Sequence, residues 1–279
     1  MSILKEITEV LEHLLEAMPS DSLFAIRKEA KSFLLEKGIP SKRHEDWKYI
    51  NIKRLFDNGL MTASGEGKET NGEVIMPAPT FQFSNSSVNR NFPTLEGVTF
   101  SLFSDAGELN KFIGKSGIHT KQELAALNTT LFTDVLIIHV EKNAQPVQSL
   151  LIDHSVSATG SEFFNSRILI ILQDGAKLNC VHHFQGTNIS DSSLVNHVTE
   201  AFIGSNASLE LNFLQEIGTG NLVNTTEVNV ERDGRFTTNT VQLSGKLIRN
   251  NTNVRIAGQN AEAHINGFYM IDGLSLIHI

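Results

Sequence analysis

The chain of 279 residues has one cysteine, Cys180, so it can form no intrachain disulfide and no multi-cysteine zinc or cluster cage. It has one tryptophan, Trp47, and two tyrosines. No apolar run approaches the roughly 20 residues of a membrane-spanning helix. The start, Met1-Ser2-Ile3-Leu4-Lys5-Glu6, lacks the basic n-region and apolar core of a signal peptide. There is no surplus of positive charge either: the formal net charge of −8 argues against nucleic acid or anionic lipid as a partner. Two catalytic signatures are missing, the Gly-x-Ser-x-Gly elbow and the Gly-x-x-x-x-Gly-Lys-Ser/Thr phosphate loop. These absences point to a cytoplasmic protein with no membrane segment.

What is present divides in two. Ile3, Leu4, Ile7, Val10, Leu11, Leu14 and Leu15 recur at helical spacing, and a second helix carries Leu23, Phe24, Ile26, Ala30, Phe33 and Leu34 before Gly38 and Pro40 stop it. A short helix is expected over 52–56 and another over 121–131, with a polar linker over 62–79. From Asp134 onward the pattern becomes short β-rich runs, ten of them up to Tyr269, separated by turn residues and without an amphipathic helix. A longer repeat lies over these runs. Asp174-Gly175-Ala176 is echoed by Ser205-Asn206-Ala207, by Asp233-Gly234-Arg235 and by Gln259-Asn260-Ala261, with spacings read as 31, 28 and 26 residues. Repeats of this length built only from strands imply a stacked array. The fold class is therefore mainly β, a right-handed parallel β-helix (β-solenoid) preceded by a small α-helical region, with a β-sandwich as the rival. The domain limits are 1–60 for the helical region, 61–133 for a linker and mixed α/β lead-in, 134–273 for an incomplete β-helix core and 274–279 for a non-native tail.

Alternation gives the strands two faces. Leu178, Cys180, His182 and Phe184 share one, while Asn224, Thr226, Thr237, Asn239, Asn251 and Asn253 are assigned to the polar outside. Cys180 and His182 have the i, i+2 spacing of two metal ligands, but a small buried thiol and a hydrogen-bonded core histidine are the simpler reading. His154, His197 and His264 could stack across coils as a histidine ladder open to iron or zinc, though no spacing requires it. Asp153, Glu200, Glu210, Glu227 and Glu262 are scattered carboxylates. The residues alone leave three readings open: a scaffold without catalytic activity, a β-solenoid carbohydrate-active enzyme, and a metal-binding β-protein using His182 and its neighbours.

The most distinctive short cluster is Pro40-Ser41-Lys42-Arg43-His44-Glu45-Asp46-Trp47-Lys48-Tyr49 before Lys53-Arg54-Leu55-Phe56. It resembles the N-terminal region of the SufD branch of the SufB/SufD family, with Pro40, Arg43, Glu45, Trp47, Lys48 and Tyr49 as the structural motif. Ala125-Ala126-Leu127-Asn128 followed by Asp134–Val140, and Asn266–Gly273, resemble segments of the same family's core. The resemblance implies a parallel β-helix that pairs with a SufB-type subunit and recruits a SufC-type ATPase through a C-terminal helical region, all in iron–sulfur cluster assembly. It implies no catalytic, cofactor-binding or metal residue here, and a cluster only in the assembled complex. Leu274-Ser275-Leu276-Ile277-His278-Ile279 stand where the family's next coils would follow; they are what one reading frame of a sequencing-library transposon end would encode, and are expected to be an adapter artefact in a fragment. Such a fragment is expected to end on an exposed strand edge, to be poorly soluble and not to bind the SufC-type subunit.

Overall fold

The computed structural model describes residues 22–62 and 75–270; the helix expected over 3–15 and the tail over 274–279 lie outside them. Strands β1 (Met61–Thr62), β2 (Thr80–Ser84), β3 (Ser87–Val88) and β4 (Val98–Leu102) precede ten more. These are β5 (Leu136–Val140), β6 (Leu150–Ala158), β7 (Glu162–Leu172), β8 (Lys177–Ile189), β9 (Leu194–Ile203), β10 (Ser208–Glu216), β11 (Asn221–Val230), β12 (Arg235–Ser244), β13 (Leu247–Ile256) and β14 (Glu262–Tyr269). Successive strands alternate between two sheets. One has the order β13-β11-β9-β7-β5-β4, with β1 beside β7; the other runs β14-β12-β10-β8-β6-β2-β3. Neighbours are parallel except β4–β5 and β2–β3. This is a two-sheet β-solenoid of five strand pairs, β5–β6 through β13–β14, and not a sandwich.

The turn from the first sheet to the second explains the repeat. Its residue of positive φ is Gly175, Asn206, Asp233 or Asn260 in successive coils, each at φ between 56° and 72°. That left-handed conformation is open to Gly and, at small cost, to Asn or Asp. The amide of each reaches the turn of the next coil: Gly175 N–H donates to Ser205 O, Asn206 to Arg232 O and Asp233 to Gln259 O. The strand register pairs Lys177 with Ser208, Ser208 with Arg235 and Arg235 with Glu262. The coil lengths are therefore 31, 27 and 27 residues. The spacings of 28 and 26 read from the sequence arose from aligning Arg235, instead of Gly234, with Ala207.

The two sheets enclose an apolar interior that includes Leu136, Ile138, Ile168, Ile170, Ala201 and Val228 from one side and Leu150, Ile152, Leu178, Phe184, Leu209 and Leu211 from the other. The outer face of the β5–β7–β9 sheet is also buried. Helices α1 (Ser22–Lys37), α2 (Lys53–Asp57) and α3 (Glu123–Leu131) cover it. Ala30, Leu34, Trp47, Phe56 and Leu127 pack there on Phe163, Leu194 and Val223. Coverage on both sides accounts for the unbroken runs Leu136-Ile137-Ile138 and Ile168-Leu169-Ile170-Ile171-Leu172, which are continuously apolar where a half-exposed strand would alternate. The outer face of the other sheet is left uncovered by the described residues over β10, β12 and β14 and carries a ladder of amides: Asn266 donates to Asn239, Asn239 to Asn212 and Asn212 to Asn179.

One assignment changes. In β11 the inward positions are Leu222, Val228 and Val230, so Asn224 and Thr226 point into the solenoid, not out of it, and both are buried. No helix among the described residues is long and apolar enough to cross a membrane.

Candidate functional site: polar groups inside and against the solenoid

Four polar constellations stand out. The first joins α3 to the covered sheet. Arg167 of β7 and Glu200 of β9 form an ion pair at 2.5 Å with both side chains 1% exposed. A second Arg167 nitrogen donates to Asn128 Oδ1 and Thr129 Oγ1. Glu200 also accepts from Ser116 Oγ and Gly114 N–H. Burial works to raise the Glu200 carboxyl, but Arg167, Ser116 and Gly114 together hold it below its usual 4.5. Asn128 donates to Ser166 O and Asn196 O, and Asn196 donates back to Leu124 O. Every oxygen of Glu200 is thus engaged, which makes it a clamp for α3 and the 114–116 loop. Glu227 lies directly beside it on β11. Burial and the Glu200 charge raise Glu227, although Lys121 and Asn253 oppose this. The cross-coil period could have revealed the clamp, because an offset of 31 puts Val198 beside Arg167 and Glu200 two residues further along the same face.

The second constellation is the family-like motif. Trp47 is buried at 6% and Pro40 is buried, while Arg43, Glu45, Lys48 and Tyr49 are exposed, Tyr49 at 89%. The Arg249 guanidinium of β13 lies 4.1 Å over the Trp47 ring and donates to Asp46 O. Trp47 therefore anchors the helical region to the solenoid, and Arg249, which the sequence did not single out, completes the contact.

The third lies on the outer side of the second sheet. His183 sits 3.2 Å from Asp153 Oδ1, an ion-pair distance without good hydrogen-bond angles, and 3.1 Å from Glu216 Oε2. Gln185 and Ser155 also donate to Asp153. Burial pulls the His183 imidazole down, but the two carboxylates outweigh it and raise it above 6.5.

The fourth constellation is inside the solenoid. His154 (β6), His182 (β8) and His197 (β9) are all buried, and one ring nitrogen of each lies within 4.8 Å of the others. His154 is stacked between Phe83 at 4.8 Å and Phe184 at 4.1 Å. Its Nε2 is 3.3 Å from His182 Nδ1. His197 Nδ1 is 2.7 Å from Ser166 Oγ and its Nε2 is 2.9 Å from Thr199 Oγ1. His182 Nε2 has no hydrogen-bond partner among the described residues. Leaving such a buried atom unpaired costs about 1–3 kcal/mol. Burial lowers the pKa of His182 to about 3; burial and the neighbouring histidines lower His154, and burial, His182 and Arg167 lower His197. All three rings are neutral at ordinary pH. The sequence grouped His264 with His154 and His197, but His264 lies on the outer face of β14 with an exposed side chain. Cys180 faces inward next to this layer without joining it, and burial pushes its thiol pKa up.

An open groove of about 830 Å³ crosses the covered sheet between Phe112, Phe202, Glu227, Glu231 and Arg255. Lys115 stacks on Phe112 and Phe202 at its wall. Of the other scattered carboxylates, Glu210 accepts from Asn212 and Glu262 pairs with Arg235.

Comparison with known proteins fits this architecture. Residues 154–279 match the family model described as "SUF system FeS cluster assembly, SufBD core domain", and residues 5–66 match "SufBD protein N-terminal region". The chain is 22% identical over 288 residues to "Protein ABCI7, chloroplastic" of Arabidopsis thaliana, covering 95% of this chain and 60% of that protein. It is 22% identical over 248 residues to "Iron-sulfur cluster assembly protein SufD" of Escherichia coli (strain K12), covering 85% of this chain and 57% of that protein. The chain thus spans less than two thirds of the length of these relatives. With helices at the front, a solenoid behind and a family match on each, the chain belongs to the SufBD family of iron–sulfur cluster assembly proteins.

Proposed function

We propose that this chain serves iron–sulfur cluster assembly as a scaffold subunit without catalytic activity of its own, pairing with a SufB-type subunit and, as part of the longer protein, with a SufC-type subunit. The carrying observation is how the polar groups are disposed. Glu200, the carboxylate set most deeply against the covered sheet, is fully engaged by Arg167, Ser116 and Gly114. A glycosidase needs two carboxylates free to face a substrate. Glu200 and Glu227 are neighbours, but the first cannot turn outward without abandoning a buried arginine, and this weighs against the carbohydrate-active reading. The regular, uncovered amide face of β10, β12 and β14 supports a protein whose work is to present a surface. The cluster belongs to the assembled complex in this reading.

The test is co-expression of the full-length protein with SufB-type and SufC-type subunits of the same source. The expected result is a complex that survives affinity purification and gel filtration, and that loses cluster assembly when this subunit is omitted. Recovery of the subunit alone, with assembly intact in its absence, would overturn the proposal.

A further inference from the structure

We propose that His154, His182 and His197 form a three-nitrogen site inside the solenoid for a first-row transition metal ion, zinc or a chemically similar divalent ion. The sequence reading expects no metal on this chain. Spacing along the chain could not bring these three together, because His182 and His197 belong to opposing sheets and meet only across the interior.

Ring geometry separates packing from coordination. His154 gives its faces to Phe83 and Phe184, which leaves its edge, where the nitrogens are, turned toward His182. His197 stands at 74° to His154 and 65° to His182, an edge-on arrangement. Stacking therefore uses the faces and brings the nitrogen-bearing edges of the three rings together.

The hydrogen-bond inventory points the same way. A neutral imidazole has one donor and one acceptor nitrogen. The 3.3 Å contact between His154 Nε2 and His182 Nδ1 engages one of each, and His182 Nε2 is then left without a partner in a fully buried ring. Asn224, opposite His197 on the next strand, carries a buried Oδ1 that also lacks a partner. A Lewis acid satisfies orphaned acceptors, here Asn224 Oδ1 and, in the tautomer in which His182 Nδ1–H donates to His154 Nε2, His182 Nε2. Hydroxyls of Ser166 and Thr199 now occupy the two His197 nitrogens; on binding, one gives way to the ion and the other orients the ring from outside the coordination sphere.

Donor chemistry selects the class of ion. Three neutral imidazoles suit zinc, copper, iron or nickel and do not suit calcium or magnesium. Among the described residues no carboxylate shares the group. Cys180 lies outside the group, so the donor set lacks the thiolates that hold an iron–sulfur cluster. Tetrahedral coordination at about 2.0–2.1 Å per nitrogen puts ligand atoms about 3.4 Å apart, so binding must draw the present triangle, up to 4.8 Å on a side, inward. A fourth position remains for water, hydroxide or the Asn224 carbonyl.

The chain is produced in zinc-supplemented medium, stripped of loose metal with EDTA, desalted, and its metal measured by mass spectrometry. A parallel sample is refolded with Co²⁺ and read by visible absorption. About one ion per chain is expected, with the absorption of tetrahedral cobalt. His182→Gln and His197→Gln should each lower retention by roughly tenfold or more, while the surface control His264→Gln retains it. X-ray absorption on the zinc-loaded wild type needs no variant and should show imidazole nitrogen without sulfur. No retained ion by either route, sulfur in the coordination shell, or undiminished retention in folded His182→Gln and His197→Gln would each overturn the site.

Discussion

At the scale of single residues, the buried pair Arg167–Glu200 shows why a charge placed inside must be judged by its partners. Removing one member leaves the other buried and uncompensated, which costs about 3–5 kcal/mol, whereas replacing both with apolar groups of similar size is often close to neutral. Glu200→Gln should therefore destabilise the chain by that order in urea unfolding, and Glu200→Met with Arg167→Met by much less. The pair also predicts part of the acid limb of stability. Because the Glu200 carboxyl is held below 4.5 in the fold, its ionised form stabilises the fold above about pH 4.5, and that contribution is lost as pH falls through the lower folded value. Urea midpoints measured against pH should show a shallower acid limb in Glu200→Gln than in wild type. Glu200 was visible in the sequence as a carboxylate among several. Its role was not, since Ser116 and Gly114 reach it from a loop more than 80 positions away.

At the scale of elements, two devices hold the molecule together. One is the repeated left-handed turn. Asn206 sits at φ 57°, so Asn206→Gly should leave stability nearly unchanged, while Asn206→Val should cost roughly 1–2 kcal/mol or more, measured by chemical unfolding. This device was legible: the Asp-Gly, Ser-Asn, Asp-Gly and Gln-Asn pairs announce the turns. Only the residue-by-residue alignment slipped, because Gly234 occupies the place that Ala176, Ala207 and Ala261 hold elsewhere. The other device is the anchor of the helical region. Trp47→Ala empties a pocket among Leu34, Ile52 and Phe56 and removes the ring beneath Arg249. A loss of about 3–5 kcal/mol is expected for such a truncation. Tyr49→Ala, at an exposed position of the same motif, should stay within about 0.5 kcal/mol. Thermal unfolding of the two variants side by side tests the contrast.

At the scale of the whole molecule, stability in a solenoid is shared between neighbouring coils. Strands β7, β8, β9, β10 and β11 are paired on both sides within the described residues, whereas β14 is paired with β12 alone. Hydrogen exchange followed by mass spectrometry should be slower over β7 and β9, which helices also cover, than over β10 and β12, whose outer face the described helices leave open. Equal exchange over the two pairs of strands would contradict this contrast.

The parallel stacking of short strands was already legible in the chain, because a repeated turn that only Gly, Asn or Asp tolerates is a local property. So was the family, whose N-terminal motif is a contiguous stretch around Trp47. The inside and outside of each strand were less accessible. Asn224 and Thr226 are polar yet point inward, and Leu169 and Ile171 are apolar yet point outward under Phe132 and Ile113. Polarity marks a face only when one side of a sheet meets water, and here the helices remove water from both. The convergence of His154, His182 and His197 belongs wholly to the folded chain. Same-face spacing relates residues within one sheet, but which residue meets which across the interior depends on how the two sheets are set against each other.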